Sequence, residues 1–439
     1  MHIDILFILV FLIFPVIWNL ILKSFKINIF QVSIISILFA SIVVFQYIGI
    51  PILYFKFDYY RAIDVNDSLL VFKVFLFTSI TVTLLLFGYG FFKKTNKLNK
   101  HKNFSVTLSN NFIYKYFVIL FSICIYFLIN YINVVGFQNL AISSVLGYVS
   151  DNNLTLLRSN MTNAFTGYHW YYLFTNKILL FCTYFFYSQF LIKKTFKHKL
   201  TFYLAFFTCL VSLVLSTEKG PIIFFFISML LVYLIVNKKS IIPIKLILKF
   251  VPIFIVILVV FYIFFTNIKS FDQALISVFS RTFTGQIQPA YHYLEFFPEI
   301  EPFLMGRSMT NPAGIFPWVP YNIPQEVMAW YNMNEFKSGV IGSMPTIFWG
   351  EVYANFGVLG VFSIPFLVGF ILGFIDSLIK RFPRNTTFTA FYVTTIMHYV
   401  SLSTTSLSNF IFDIYIIIPF IIYLFIEFVS GKGKIIIRN

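Results

Sequence analysis

Residues 246–266 read LILKFVPIFIVILVVFYIFFT and hold a single charged side chain, that of Lys249. A helix needs about 20 mostly apolar residues to cross the hydrocarbon core of a bilayer, and this stretch supplies them without a break. Its apolar residues are continuous and do not alternate at period two, as they do in the strands of a transmembrane barrel. The stretch therefore predicts a transmembrane helix.

Similar apolar stretches recur along the whole 439-residue chain. Apolar residues make up 59% of it and charged residues 11%, whereas soluble domains carry roughly 25% charged residues. We therefore predict an all-α, polytopic membrane protein in which residues 1–439 form one transmembrane domain of about eleven helices. The predicted spans are 3–22, 28–54, 69–92, 112–133, 170–192, 201–216, 221–237, 246–266, 355–379, 386–406 and 409–429.

The net charge of +16 is distributed as small lysine clusters between the apolar stretches. Such clusters orient helices in a membrane and do not form the single basic face of a nucleic-acid-binding protein. Most of the 32 basic residues fall in alternate loops, which the positive-inside rule places in the cytoplasm. The N-terminus is then predicted outside and the C-terminus inside, which requires an odd number of spans.

Two outer segments are long enough to carry chemistry, one at about 134–169 and a larger one at about 267–354, before the ninth span. Loops of this length are usually functional or disordered. The larger segment is rich in proline and aromatic residues and is not of low complexity, so we expect it to fold against the membrane.

Arginine is the first chemical signal on the predicted outer side, because orientation of the helices requires no positive charge there. The outer arginines are Arg61, Arg158, Arg281 and Arg307. The planar guanidinium binds phosphate through two parallel hydrogen bonds, so these residues predict a clamp for a phosphate-bearing substrate. The alternative is that each arginine pairs with a local acid, such as Glu299 or Glu301, and Asp58 and Asp64 lie near Arg61.

A second signal is the sequence STEKGP at 216–221, where two apolar stretches meet at a turn that contains Glu218 and Lys219. Ionisable groups near membrane depth are candidates for function, and Lys219 is a candidate phosphate ligand. The alternative is a short exposed hairpin loop with a Glu–Lys pair.

A third signal is the sequence GEVYANFGVLG at 350–360, at the entrance to the ninth span. Gly357 and Gly360 allow close helix packing, and Glu351 lies at the outer boundary, where a carboxylate could act as a general base. The alternative is an interfacial glutamate that hydrogen-bonds a helix end. His292 and His169 are further outer candidates for a base, although lone histidines in aromatic surroundings are often structural.

Aromatic residues of the larger outer segment could stack on sugar rings, and the candidates are Trp318, Trp330 and Tyr353. They could equally belong to an interfacial aromatic belt. The sequence contains no Walker loop, paired-aspartate metal motif or HExxH motif, so no nucleotide, metal or other cofactor is predicted.

These features together resemble the bacterial O-antigen (oligosaccharide repeat-unit) polymerases, the Wzy-type family. The sequence GEVYANFGVLG is similar to the family's Gly-Glu-x-Tyr-x-x-Phe-Gly-x-x-Gly block, and the segment 339–345 and the region of Arg281 and Arg307 also fit. The STEKGP turn resembles a Gly-Ser-Arg-Gly-like turn of this group, with Lys219 where arginine is more usual.

The resemblance implies polymerisation of undecaprenyl-pyrophosphate-linked oligosaccharides at the periplasmic face of the bacterial inner membrane. Glu351 is then the expected base, with His292 as the second choice. The expected pyrophosphate ligands are Arg158, Lys219, Arg281 and Arg307. Membrane lipid is an expected partner and nucleic acid is not, while the binding of a chain-length regulator is left open.

Three alternatives remain, and one of them, a structural or assembly partner, would not need the outer arginines. An O-antigen ligase would have a similar architecture, but such ligases usually place a histidine where this chain has Thr346. A lipid-linked oligosaccharide flippase would favour two similar halves and charged residues deep in many spans, and the sequence shows neither.

Overall fold

The computed structural model describes residues 2–95, 106–145, 161, 167–265, 270–311, 314–337, 342–411 and 413–429. Throughout these residues the regular secondary structure is helical. The helices are α1 (His2–Ser24), α2 (Ile34–Ile42), α3 (Gly49–Tyr54), α4 (Tyr59–Ala62), α5 (Ser68–Thr95), α6 (Asn111–Val135), α7 (Ala141–Val145), α8 (Tyr168–Leu173), α9 (Leu179–Ile192), α10 (Phe196–Val214), α11 (Lys219–Asn237), α12 (Ile244–Phe265), α13 (Phe271–Phe279), α14 (Gly285–Phe296), α15 (Ile323–Tyr331), α16 (Met333–Lys337), α17 (Phe348–Ile379), α18 (Thr386–Val400), α19 (Ser408–Ile411) and α20 (Ile414–Glu427).

Short π-helical turns continue three of these helices into the next. They are Val43–Tyr47 between α2 and α3, Phe174–Ile178 between α8 and α9, and Ser280–Thr284 between α13 and α14. Single π turns inside helices occur frequently at functional sites, and the last of the three carries Arg281.

Eight helical stretches among the described residues are long and apolar enough to cross a membrane. They are Ile3–Ser24, Ile34–Tyr54, Ser68–Thr95, Asn111–Val135, Phe196–Val214, Lys219–Asn237, Ile244–Ile263 and Phe348–Ile379. The prediction of an all-helical, polytopic membrane protein is confirmed at this level. Many large apolar side chains of α1 are exposed, including those of Leu9, Leu12 and Leu20, as expected for a helix that faces lipid.

The other three predicted spans form shorter helices. The stretch 170–192 is divided by a π turn, 386–406 contains the 15-residue helix α18, and 409–429 contains the 14-residue helix α20. The count of eleven and the orientation in the membrane therefore stay predictions.

The larger outer segment contains regular structure, namely helices α13 to α16. Helix α17 begins at Phe348, before the predicted start of the ninth span near residue 355. The sequence GEVYANFGVLG is therefore helical, with a kink at Gly357, whose φ of 61° is unfavourable for any residue with a side chain. A Cβ atom there would also lie 3.1 Å from the Phe303 ring.

The chain divides into two compact units. Unit 1 contains residues 1–100, 275–380 and 399–413, and unit 2 contains residues 101–274, 381–398 and 414–439. In unit 1, α5 and α17 pack with their backbones in contact: a Cβ atom on Gly88 would lie 2.1 Å from the Phe366 carbonyl oxygen, and one on Gly369 would lie 2.1 Å from that of Leu85. Small residues at such crossings are typical of helix pairs in membranes.

Candidate functional site

Helix α14 and the π turn before it carry the most distinctive group of polar side chains in unit 1. Gly285, Gln288, His292 and Glu295 are spaced three, seven and ten residues along α14, so they lie along one face. The short helix α4 and the end of α15 contribute Arg61 and Tyr331 to the same face. We call this group the α14 face.

His292 has the geometry of an oriented base. Its Nδ1 lies 2.9 Å from a carboxylate oxygen of Glu295. Because a carboxylate accepts hydrogen bonds, Nδ1 carries the proton and Nε2 is left as an acceptor. The side chain is 1% exposed, and Nε2 has no hydrogen-bond partner among the described residues. Nucleophile and base arrangements in enzymes commonly use a third group to orient the base in this way.

Tyr331 covers the imidazole of His292. The two ring centroids are 4.3 Å apart, and the Tyr331 hydroxyl donates a hydrogen bond of 2.6 Å to Asp64. Burial, together with this hydrogen bond, raises the pKa of Tyr331 to about 12, so the hydroxyl remains a donor at neutral pH. Trp330 lies next to it, with its ring centroid 6.5 Å from that of His292.

Two arginines converge at the start of α14. A Cβ atom on Gly285 would lie 3.5 Å from Cζ of Arg61 and 3.4 Å from Cδ of Arg281. Both side chains therefore pass within van der Waals contact distance of this position. The Arg61 guanidinium also lies 3.5 Å from the amide oxygen of Gln288, a neutral partner that leaves its charge uncompensated.

The acids close to Arg61 in sequence accept hydrogen bonds from groups other than its guanidinium. The Asp58 carboxylate caps α4 by accepting the Arg61 backbone N–H at 3.3 Å, and it also accepts the hydroxyl of Thr284. Asp64 accepts the hydroxyl of Tyr331. Arg61 makes no ion pair with a carboxylate in the described part of the chain, so its guanidinium is available to an anion.

Glu351 is placed differently, because both of its carboxylate oxygens are bonded. One accepts the Ser308 hydroxyl at 2.6 Å and the other accepts the Ser408 backbone N–H at 2.7 Å. Asn355 donates to Ser308 at 2.7 Å and accepts the Gly306 N–H at 2.9 Å. The Glu351 side chain is 3% exposed. In this conformation it ties α17 to two other segments of unit 1 and does not face an open site.

The other predicted phosphate ligands have various surroundings. Arg307 is 44% exposed and pairs with Glu301 at 3.3 Å, which is the alternative that the sequence left open for it. Lys219 lies in unit 2, with its ammonium 3.3 Å from the centre of the Tyr262 ring. Arg158 lies outside the described residues.

The predicted sugar-contact residues also differ from one another. Trp330 is half-buried on the α14 face, in edge contact with Phe296. Trp318 is half-buried and stacks on Phe316 at 4.6 Å. Tyr353 is buried, and its hydroxyl lies 3.3 Å from the ammonium of Lys73. Of the three residues, only Trp330 lies beside His292.

Apart from Gly285 and Gln288, three further members of the α14 face were not among the expected base and pyrophosphate ligands. Glu295 could have been found from the i, i+3 spacing His-x-x-Glu on one helix. Arg61 carried a signal as an outer arginine, but its sequence neighbours suggested local pairing. Tyr331 gave no signal beyond its aromatic character.

Comparison of the chain with protein families, with characterised proteins and with solved structures finds no match.

Proposed function

We propose that this protein is a membrane glycosyltransferase that polymerises undecaprenyl-pyrophosphate-linked oligosaccharide repeat units into O-antigen or a related surface polysaccharide. It acts in the bacterial inner membrane, with the α14 face on the periplasmic side. The observation that carries the proposal is His292, whose Nδ1 is held by Glu295 while the buried Nε2 has no described partner.

The chemistry requires a base for the acceptor sugar hydroxyl. His292 fits this role better than Glu351, because Nε2 has an unused lone pair whereas each Glu351 oxygen already accepts a hydrogen bond. Tyr331 has to move away from the imidazole to admit the acceptor, since His292 is covered in this conformation. Glu351 serves as a positioning residue that holds the segment around Ser308 against α17.

The chemistry also requires positive charge at the leaving pyrophosphate. Arg61 and Arg281 supply it in this proposal, since both reach the space above Gly285. Gly285 and His292 are seven residues apart on α14, a separation of about 10 Å along the helix axis. The arginines and the base are thus two turns apart on one face.

In the proposed step, the acceptor hydroxyl oxygen attacks the anomeric carbon of the growing glycan. Its proton moves to Nε2 of His292, a new glycosidic bond forms, and the bond between the anomeric carbon and the pyrophosphate oxygen breaks. Undecaprenyl pyrophosphate leaves with the electron pair of that bond, and the arginines stabilise the added charge. Trp330 provides an aromatic surface for a sugar ring beside the base.

Five other candidates keep their predicted roles at the substrates as weaker parts of the proposal, namely Arg307, Lys219, Arg158, Trp318 and Tyr353. Arg307 already has an acidic partner, and Tyr353 is buried against Lys73 and Phe77. We expect these residues to contribute less than Arg61 and Arg281.

The first test is a lipopolysaccharide gel of cells that lack the gene, with and without a plasmid copy. A single-repeat band in the deletion strain, restored to a ladder by the plasmid, supports the polymerase. Loss of every O-antigen band, including the single repeat, contradicts it and indicates a ligase or a flippase. Glycan polymer that accumulates on its lipid carrier would then select the ligase.

A further inference from the structure

A cleft of about 410 Å³ opens beside the C-terminal end of α1, and none of its lining residues belongs to the α14 face. Its polar lining residues are Asn19, Lys23, Lys26 and Asn28. The remaining wall is apolar and includes Phe30, which is 41% exposed. The cleft therefore combines two cations with an apolar surface at the end of a predicted span, on the side that the positive-inside rule places in the cytoplasm.

The backbone of Lys26 shows how the cleft is built. The N–H of Ile27 donates to the Leu22 carbonyl at 2.8 Å and the N–H of Lys26 donates to the Lys23 carbonyl at 3.1 Å. These two bonds form a Schellman turn, in which the residue with positive φ is usually glycine. Lys26 occupies that position with a φ of 53°. Glycine would suit the backbone better, but it would provide no cation to the cleft.

The lysines of the cleft are not needed as hydrogen-bond donors to the carbonyl groups at the end of α1. Cations near a helix C-terminus commonly complement its carbonyl groups. Here the Leu22 and Lys23 carbonyls accept backbone N–H groups, and the Lys26 carbonyl accepts the ammonium of Lys93 at 2.9 Å. Neither Lys23 nor Lys26 makes an ion pair with a described carboxylate. Their ammonium groups are therefore available to an anion.

We propose that this cleft binds the headgroup of an anionic phospholipid of the inner leaflet. Lys23 and Lys26 hold the phosphate, the amides of Asn19 and Asn28 donate to headgroup oxygens, and Phe30 contacts the start of an acyl chain. The cleft is wide open, so a headgroup at the membrane surface can enter it. Lysines close to an anionic leaflet each add a moderate electrostatic attraction, and the two in the cleft act on one phosphate.

Lys56 provides a matched control because it has the same backbone geometry. It has a φ of 55° at the end of α3, and the N–H groups of Lys56 and Phe57 donate to Leu53 and Ile52 as in the turn at Lys26. Lys56 does not line the cleft. Replacing either lysine by glycine relieves the same backbone strain, but only Lys26→Gly removes a cation from the cleft.

The experiment measures lipid binding to the full-length protein in detergent by native mass spectrometry. The probes are dioleoyl phosphatidylglycerol and dioleoyl phosphatidylcholine, which differ in headgroup charge and share their acyl chains. We expect the wild type and Lys56→Gly to bind phosphatidylglycerol preferentially. We expect Lys26→Gly and Lys23→Gln each to weaken that binding by about five-fold, while Lys26→Gly melts at the same temperature as the wild type or higher.

Equal binding of the two lipids, or equal phosphatidylglycerol affinity in Lys26→Gly and Lys56→Gly, would overturn the proposal. A competition arm adds inorganic phosphate at millimolar concentration. We expect phosphate to leave bound phosphatidylglycerol in place, because it makes no contact with the apolar wall. Displacement by phosphate alone would show that the cleft binds free phosphate and would contradict a lipid site.

Discussion

The α14 face and the Glu351 motif both contain buried titratable side chains in unit 1, but they differ in whether the buried polar atoms have hydrogen-bond partners. Glu351 has a hydrogen-bond donor on each oxygen, whereas Nε2 of His292 is buried with no described partner. An unsatisfied buried polar atom costs about 1–3 kcal/mol. Other buried side-chain atoms of the described residues, such as those of Gln46 and Thr346, also lack a hydrogen-bond partner, but His292 is the titratable base among them and a carboxylate orients its ring. In the proposed function, the conspicuous motif therefore positions the structure, and His292 of the less conspicuous helix acts as the base.

The strongest test of this comparison replaces the proposed base. We expect His292→Ala to lower polymer formation by about 10²- to 10⁴-fold, the usual contribution of a general base. Membrane insertion and yield should be unchanged. His169→Ala is the matched control, because His169 lies in unit 2 and contacts the Tyr415 hydroxyl at 3.3 Å. Polymer ladders of wild-type length in His292→Ala would exclude His292 as the base.

The arginines test whether charge at the α14 face matters more than charge elsewhere. We expect Arg61→Ala and Arg281→Ala each to reduce the rate by about 10²- to 10³-fold, as the loss of a group that stabilises developing charge does. Lysine at either position should recover part of the activity. Arg307→Ala should have a smaller effect, because its guanidinium is exposed and paired with Glu301. A larger loss in Arg307→Ala than in Arg61→Ala would reverse our ranking of the phosphate ligands.

Glu351→Gln tests whether Glu351 acts as a positioning residue. The amide oxygen of glutamine can accept the Ser408 N–H, but its nitrogen then meets the Ser308 hydroxyl, which has to rotate and loses its present charge-assisted bond to the carboxylate. We expect a loss of about 1–3 kcal/mol in stability, seen as a lower melting temperature in detergent, with activity retained per folded molecule. Unchanged stability with abolished activity would instead support Glu351 as the base.

The smallest expected effect concerns the cover over His292. Tyr331→Phe removes the hydrogen bond to Asp64, which is worth about 0.5–1.5 kcal/mol net. The cover should open more often, so diethyl pyrocarbonate should modify His292 up to about ten-fold faster. Peptide mass spectrometry of timed samples measures this rate. An unchanged rate would show that the hydrogen bond does not hold Tyr331 in place.

The helical, membrane-embedded class could be predicted from the sequence because a helix that crosses a bilayer needs a long apolar stretch. His292 and Arg281 were candidates from the sequence, because the orientation of the helices requires no positive charge on the predicted outer side and a histidine there can serve as a base. The sequence could not show that Asp58 and Asp64 do not pair with the Arg61 guanidinium, because their partners Thr284 and Tyr331 are more than 200 residues away. For the same reason, the partners of Glu351 could not be inferred.

The crossing of α5 and α17 at Gly88 and Gly369 has a mechanical consequence. Because the two backbones are in direct contact, neither helix can slide along the other without a collision between main-chain atoms. The two helices are therefore expected to move together as one rigid body. We therefore expect the movement of Tyr331 that uncovers His292 in the proposed function to involve α15, which carries Tyr331, and not α5 or α17.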